Sequence, residues 1–159
     1  MPYLNRMLIL SKSEFEEIMS ELQQYPVIYS QTVAWGDMDA FGHVNNATYY
    51  RYIESARLAY LGKLNIFDED ILTVVASNQC RYLKPVVYPD QLKVAARIDE
   101  IRNSAVRMHY LLWSEQQQSI VATSEAVIVC LNKNMQKTEI PENIREKIKS
   151  LELTVQHAI

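Results

Sequence analysis

One long helical period, followed by four long β segments on short connections, leaves this chain few folds to choose from. From about Ala47 the apolar residues recur every three or four positions. Tyr49, Ile53, Ala56 and Tyr60 fall along one face with Tyr52 and Ala59 beside it, while Arg51, Glu54, Ser55 and Lys63 point away. Asn45 or Asn46 serves as N-cap and Gly62 as the residue just past the C-terminus. The result is a helix of about four or five turns, whose small residues Ala56 and Ala59 permit close packing on a sheet. After it, Ile71 to Lys84, Gln91 to Ile101, Ala105 to Ser114 and Ser119 to Asn132 read as strands. Their connections include Arg102-Asn103-Ser104 and Glu115 to Gln118, which are of hairpin length. Parallel neighbours need crossovers of about a dozen residues or more, so these strands must be antiparallel.

Val27 to Trp35 alternates and is rich in β formers, which adds a strand before the helix. The expected fold class is therefore α+β: a curved, five-stranded antiparallel sheet wrapped around one long central helix. Residues 1–25 read as an N-terminal helical extension. Ser11 or Ser13 caps it, Phe15, Ile18 and Leu22 form its apolar stripe, and Pro26 stops it. The extension is free to cover a sheet edge or a subunit contact. Residues 26–140 form the main domain. Residues 141–159 form a C-terminal helix and tail with Pro141 at the first helical position.

The 159 residues suit one domain, and 48% hydrophobic with 22% charged residues is ordinary for a globular chain. A formal net charge of −3 gives no electrostatic reason to expect nucleic acid or an anionic membrane as partner. No apolar run approaches the roughly 18 residues of a membrane span, and Met7 to Leu10 is too short for a signal-peptide core. Cys80 and Cys130 stand apart in apolar runs and read as buried thiols, so a cytoplasmic location is expected.

The loop from Trp35 to Asn46 gathers what the rest of the chain lacks. It holds two carboxylates (Asp37, Asp39), a histidine (His43), two amides (Asn45, Asn46) and two of the three glycines, Gly36 and Gly42. It also leads into a helix N-terminus, where orphan N–H groups and the helix dipole favour negative charge. A carboxylate beside such an end suits acyl transfer or hydrolysis: one group attacks or activates water, and an N–H holds the developing oxyanion. Three other readings compete. Turn and cap chemistry alone accounts for these residue types but for no activity. A calcium loop starting at Asp37 would put Phe41 and Thr48 at ligand positions. A magnesium-dependent phosphoryl-transfer pair belongs on a parallel sheet. His109 and His157, the remaining histidines, are too far from His43 in sequence to suggest a zinc site, so no metal is expected.

The run Trp35-Gly36-Asp37-Met38-Asp39-Ala40-Phe41-Gly42-His43-Val44-Asn45-Asn46, continuing through Ala47-Thr48-Tyr49-Tyr50-Arg51-Tyr52-Ile53-Glu54-Ser55-Ala56-Arg57, resembles the signature of hotdog-fold acyl-CoA thioesterases. In particular it resembles the 4-hydroxybenzoyl-CoA thioesterase family. Arg81-Tyr82-Leu83-Lys84-Pro85 and Tyr88-Pro89-Asp90 extend the likeness, which spans roughly residues 27 to 133. The resemblance implies a homodimer with sheets joined edge to edge, further assembly into a dimer of dimers, and active sites at the subunit interface. It puts the catalytic carboxylate on Asp39, as nucleophile or as general base, and the oxyanion donor on the Asn46 backbone N–H. Plant acyl-carrier-protein thioesterases share the His-Val-Asn-Asn run and use its histidine, here His43. They also use an Asn where this chain has Phe41. Asp37 is expected to be structural, bonding loop N–H groups.

The expected reaction is hydrolysis of an acyl-CoA thioester, with coenzyme A as part of the substrate and no cofactor. Partial burial of Asp39 against Phe41, Val44 and a partner subunit would tune it. Asn45, Tyr49 and Tyr50 are candidates to line the substrate, and Ser77 and Asn78 to face the partner's site; Ile53 reads as core. Arg81, Lys84, Arg102 and Arg107 are candidate contacts for the phosphates of coenzyme A. Two other classes remain: a non-catalytic acyl-CoA-binding or regulatory domain, which would have no need of Asp39, and a purely structural dimerisation domain.

Overall fold

The computed structural model describes residues 11–159. The helical elements are α1 (Lys12–Leu22), α2 (Asn46–Lys63) and α3 (Glu142–Leu153). The strands are β1 (Val27–Thr32), β2 (Leu72–Tyr82), β3 (Gln91–Ile101), β4 (Ala105–Ser114) and β5 (Ser119–Leu131). All pairings are antiparallel, and the sheet order is β1-β3-β4-β5-β2. The five-stranded antiparallel α+β arrangement expected from the pattern is the one observed, and it is the hotdog arrangement that the resemblance implies.

Alternation along the strands divides the sheet into two faces. Val94, Met108, Tyr110 and Ala126 face α2 in the main core. On α2 itself Ile53, Ala56 and Tyr60 are fully buried. The opposite face carries a second cluster, in which Ala95, Leu111 and Trp113 pack against Leu22 of α1 and against Tyr25. The helix of the expected extension thus covers the outer face of the sheet rather than an edge; residues 1–10 of that extension lie outside the described residues.

Local details depart from expectation at the helix ends. Ser11, rather than Ser13, is the N-cap of α1, and it shares a reciprocal capping box with Glu14. Gly62 is helical, and the left-handed position falls instead on Asn65 (φ 53°), an amide that tolerates it. Pro141 is the N-cap of α3 rather than its first residue. Arg57, on the same helix as the expected core face, is also buried, with its guanidinium 3.4 Å from the Tyr110 hydroxyl.

β1 covers β3 only from Gln91 to Ala96. Beyond that point α3 takes over. Glu152, wholly buried, accepts the Ile98 N–H at 2.9 Å and the Tyr60 hydroxyl at 2.5 Å, so its carboxyl joins the C-terminal helix to both sheet and central helix. Burial raises the Glu152 pKa above the ordinary 4.5, against the opposing effect of those two donors. Below pH 4.5 the group is neutral folded and unfolded alike. Above it the unfolded chain ionises first, so the wild type loses stability as pH climbs toward the raised folded value. Glu152→Gln keeps the acceptor oxygen and removes the titration. Chemical-denaturation curves from pH 4 to 7 are expected to show the wild type falling relative to this variant; parallel curves would contradict the assignment.

Candidate active site

The loop between β1 and α2 builds the site through a miniature hairpin. The Asp39 N–H donates to the His43 carbonyl at 2.8 Å, and the Gly42 N–H returns to the Asp39 carbonyl at 3.0 Å. Met38 and Val44 pair antiparallel just outside. Such a three-residue loop needs a left-handed residue before the return strand, and Gly42 supplies it with φ 80°. Residues opposite one another in an antiparallel pair present side chains on the same face. Asp39 and His43, four apart in sequence, therefore meet at one opening.

The hairpin is tied down on both sides. The Val44 N–H bonds the Val86 carbonyl at 2.8 Å, and the Asn45 N–H bonds the Asp37 carbonyl at 2.9 Å. The Asp37 carboxylate accepts the Ala34 N–H at 3.0 Å and the Tyr52 hydroxyl at 2.5 Å. Burial, followed by that bond to Asp37, pushes the Tyr52 phenol pKa up, so the proton stays on Tyr52. Asp37 is thus engaged in holding the loop on α2, as expected of it. Asp37→Ala would strand the buried Tyr52 hydroxyl, at a cost of about 1–3 kcal/mol. The expected result is a clear fall in Tm by differential scanning calorimetry, and an unchanged Tm would refute the role.

Asp39 is differently employed. Its Oδ1 accepts the Phe41 N–H at 2.9 Å, which leaves Oδ2 without a partner among the described hydrogen bonds. At the start of α2 the Asn45 side chain caps the Ala47 N–H at 2.9 Å. The Asn46 N–H has no partner among the described residues. Two residues that line the same opening, Asp39 and Asn46, thus carry a carboxylate oxygen and a helix N-terminal N–H without partners among the described residues.

That opening is a shallow cleft of about 340 Å³, lined by Asp39, His43, Val44, Asn46 and Tyr49 from the loop and α2, and by Tyr82, Leu83, Lys84 and Pro85 from the end of β2. Four of the expected site residues, Asp39, His43, Asn46 and Tyr49, are brought together here. Asn45 lies beside them with its side chain committed to the cap. Tyr50 does not line the cleft. Ser77 and Asn78 lie on β2 at a separate depression with Arg107 and Glu125. Phe41 does not bury Asp39 within one chain: the residue is 88% exposed, whereas Val44 is buried. The contribution of Tyr82 is not singled out by the sequence, although Tyr82 falls within the Arg81-Tyr82-Leu83-Lys84-Pro85 run that extends the family likeness. Among the described residues, no three His, Cys, Asp or Glu side chains group as a metal site, and no helix is long and apolar enough to cross a membrane.

Residues 33–148 match the profile of the thioesterase-like superfamily. The uncharacterised protein YsmA of Bacillus subtilis is 38% identical over 82 residues, which is 50% of this chain and 56% of that protein. The long-chain acyl-CoA thioesterase FadM of Escherichia coli is 26% identical over 119 residues, 72% of this chain and 90% of that one. Among solved structures, a Thermus thermophilus thioesterase complexed with coenzyme A and zinc superposes with a TM-score of 0.73 at 32% identity, covering 81% of this chain and 96% of the other. With a family match across most of its length, the hotdog sheet and the loop-to-helix site in place, the chain belongs to the thioesterase-like superfamily and is a thioester hydrolase.

Proposed function

We propose that the chain is an acyl-CoA thioesterase of the 4-hydroxybenzoyl-CoA thioesterase type, acting through Asp39 and the Asn46 N–H. The observation that carries the reading is the one cleft lined by Asp39, His43 and Asn46, of which Asp39 Oδ2 and the Asn46 N–H have no partner among the described residues. The thioester carbonyl oxygen lies against the Asn46 N–H and the helix end, which stabilise the charge it gains in the tetrahedral intermediate. The Asp39 oxygen attacks the carbonyl carbon, expelling the coenzyme A thiolate and leaving a mixed anhydride for water to cleave, or it takes the proton from a water that attacks instead. Either route ends in free acid and coenzyme A. His43, opposite Asp39 across the hairpin, is placed to hand a proton to the departing sulfur. Tyr49 forms the buried floor beneath the acyl group, and Lys84 at the rim meets the phosphates of coenzyme A. No cofactor enters this scheme, because coenzyme A arrives with the substrate.

The active form is a homodimer, and the cytoplasm is its compartment. β2 supports the dimer: it bonds β5 on one side, has no strand on its other edge among the described residues, and exposes nearly every residue, Leu72, Val74 and Val75 among them. A long edge of this kind is a template for another strand, and a second copy pairing there would bring Ser77 and Asn78 to its partner's cleft. The exposed Trp35, Phe41 and Val87 would be covered in the same assembly, and two dimers would join into a tetramer.

The test is a panel of aromatic and aliphatic acyl-CoAs, with thiol release read by a chromogenic thiol reagent and mass in solution by light scattering. Turnover of at least one acyl class by a dimer or tetramer is expected. Tight binding of acyl-CoA without thiol release would favour a regulatory domain instead.

A further inference from the structure

We infer that Tyr82, at the end of β2, is a positioning residue for the oxyanion site, resting on the thioesterase reading of the same cleft. Its hydroxyl donates to the Asn46 carbonyl at 2.9 Å. That carbonyl belongs to the peptide plane whose other end, the Ala47 N–H, is held by the Asn45 side chain at 2.9 Å. The 46–47 plane is therefore pinned at its oxygen by a strand and at its nitrogen by the cap. The Asn46 N–H lies one rotatable unit upstream and has no partner among the described residues. The clamp fixes the residue that carries the donor while leaving the donor available.

The phenol ring is held in its turn. It meets Tyr49 edge to face, with centroids 5.0 Å apart and planes at 85°. Tyr49 is buried in the main core, so the clamp is referred to the packed interior rather than to solvent. At its own end, the Leu83 and Lys84 N–H groups both bond the Val121 carbonyl, at 2.9 and 3.1 Å, which anchors the chain just past Tyr82 to β5. Preorganised donors stabilise a developing oxyanion because they need no reorientation as charge appears. A residue that removes one freedom from the donor's backbone therefore acts on the transition state more than on the bound ground state.

Tyr82→Phe removes the hydroxyl and keeps the ring against Tyr49. With an acyl-CoA that the wild type turns over, kcat is expected to fall about tenfold with KM nearly unchanged. The shape of the pH–rate profile stays the same, and Ala47 amide exchange in the free protein quickens. A purely structural role would lower Tm without moving kcat per folded enzyme or the Ala47 exchange rate. An active wild type whose Tyr82→Phe variant retains full kcat overturns the clamp alone. A wild type that turns over no acyl-CoA at all takes down the parent reading, and the clamp with it.

Discussion

Asp39→Asn is expected to lower acyl-CoA hydrolysis by about 10²–10⁴-fold, the range found when a group acting on the reacting atoms is removed. The substitution is chosen for what it preserves. An amide side chain at this position keeps a carbonyl oxygen to accept the Phe41 N–H, so the miniature hairpin and the His43 opposite should hold their places. What disappears is the charge and basicity of the carboxylate, whose Oδ2 has no partner among the described residues. An amide neither attacks a thioester at a useful rate nor takes a proton from water, so both proposed routes close together. Because the lost interaction belongs to the transition state, kcat and kcat/KM should drop in parallel. Single-turnover assays on the variant, with Tm as the check on folding, decide the matter; undiminished turnover would remove Asp39 from the chemistry.

The largest effect on stability is expected from Ile53→Ala. Ile53 lies near the middle of α2, is fully buried, and takes no part in lining the cleft. Truncating such a side chain costs about 2–5 kcal/mol, through lost transfer energy and the cavity left behind. For a chain of this size each kcal/mol moves Tm by roughly 2–4 °C. The midpoint should therefore fall steeply, while the preference among acyl groups stays as it was. A changed acyl preference at an intact Tm would place Ile53 in the substrate path and overturn its assignment to the core.

Much of the fold was legible because its signals are local. The period of α2 and the alternation of the strands repeat several times each, so single ambiguous residues do not disturb the reading. Short hairpin connections then leave antiparallel pairing as the one solution. Ends were less legible. Gly62 satisfies the rule for a residue past a helix terminus, but the helix runs through it, and Asn65 takes the left-handed turn. Buried polar groups were not legible either. Arg57 and Glu152 carry charges that patterning assigns to the surface, and only their meeting with Tyr110, Tyr60 and the Ile98 N–H shows how they are accommodated.

The site divides in the same way. Asp39, His43 and Asn46 lie within eight residues on one loop, so their company could be read directly, and Gly42 marks the turn that brings two of them face to face. Tyr82 comes from a strand 36 residues further along the chain. No spacing rule connects it to Asn46. Ser77 and Asn78, chosen for their strand, lie at another depression within the single chain. By itself the sequence determined the class of fold, the order of its elements and the loop that carries the carboxylate, because each is written in neighbours a few residues apart. Only the tertiary structure decided which oxygen of Asp39 and which N–H at the start of α2 have no partner among the described residues, and which distant tyrosine bonds the Asn46 carbonyl. Those depend on how the curved sheet closes over α2, a long-range outcome of packing that no local pattern encodes.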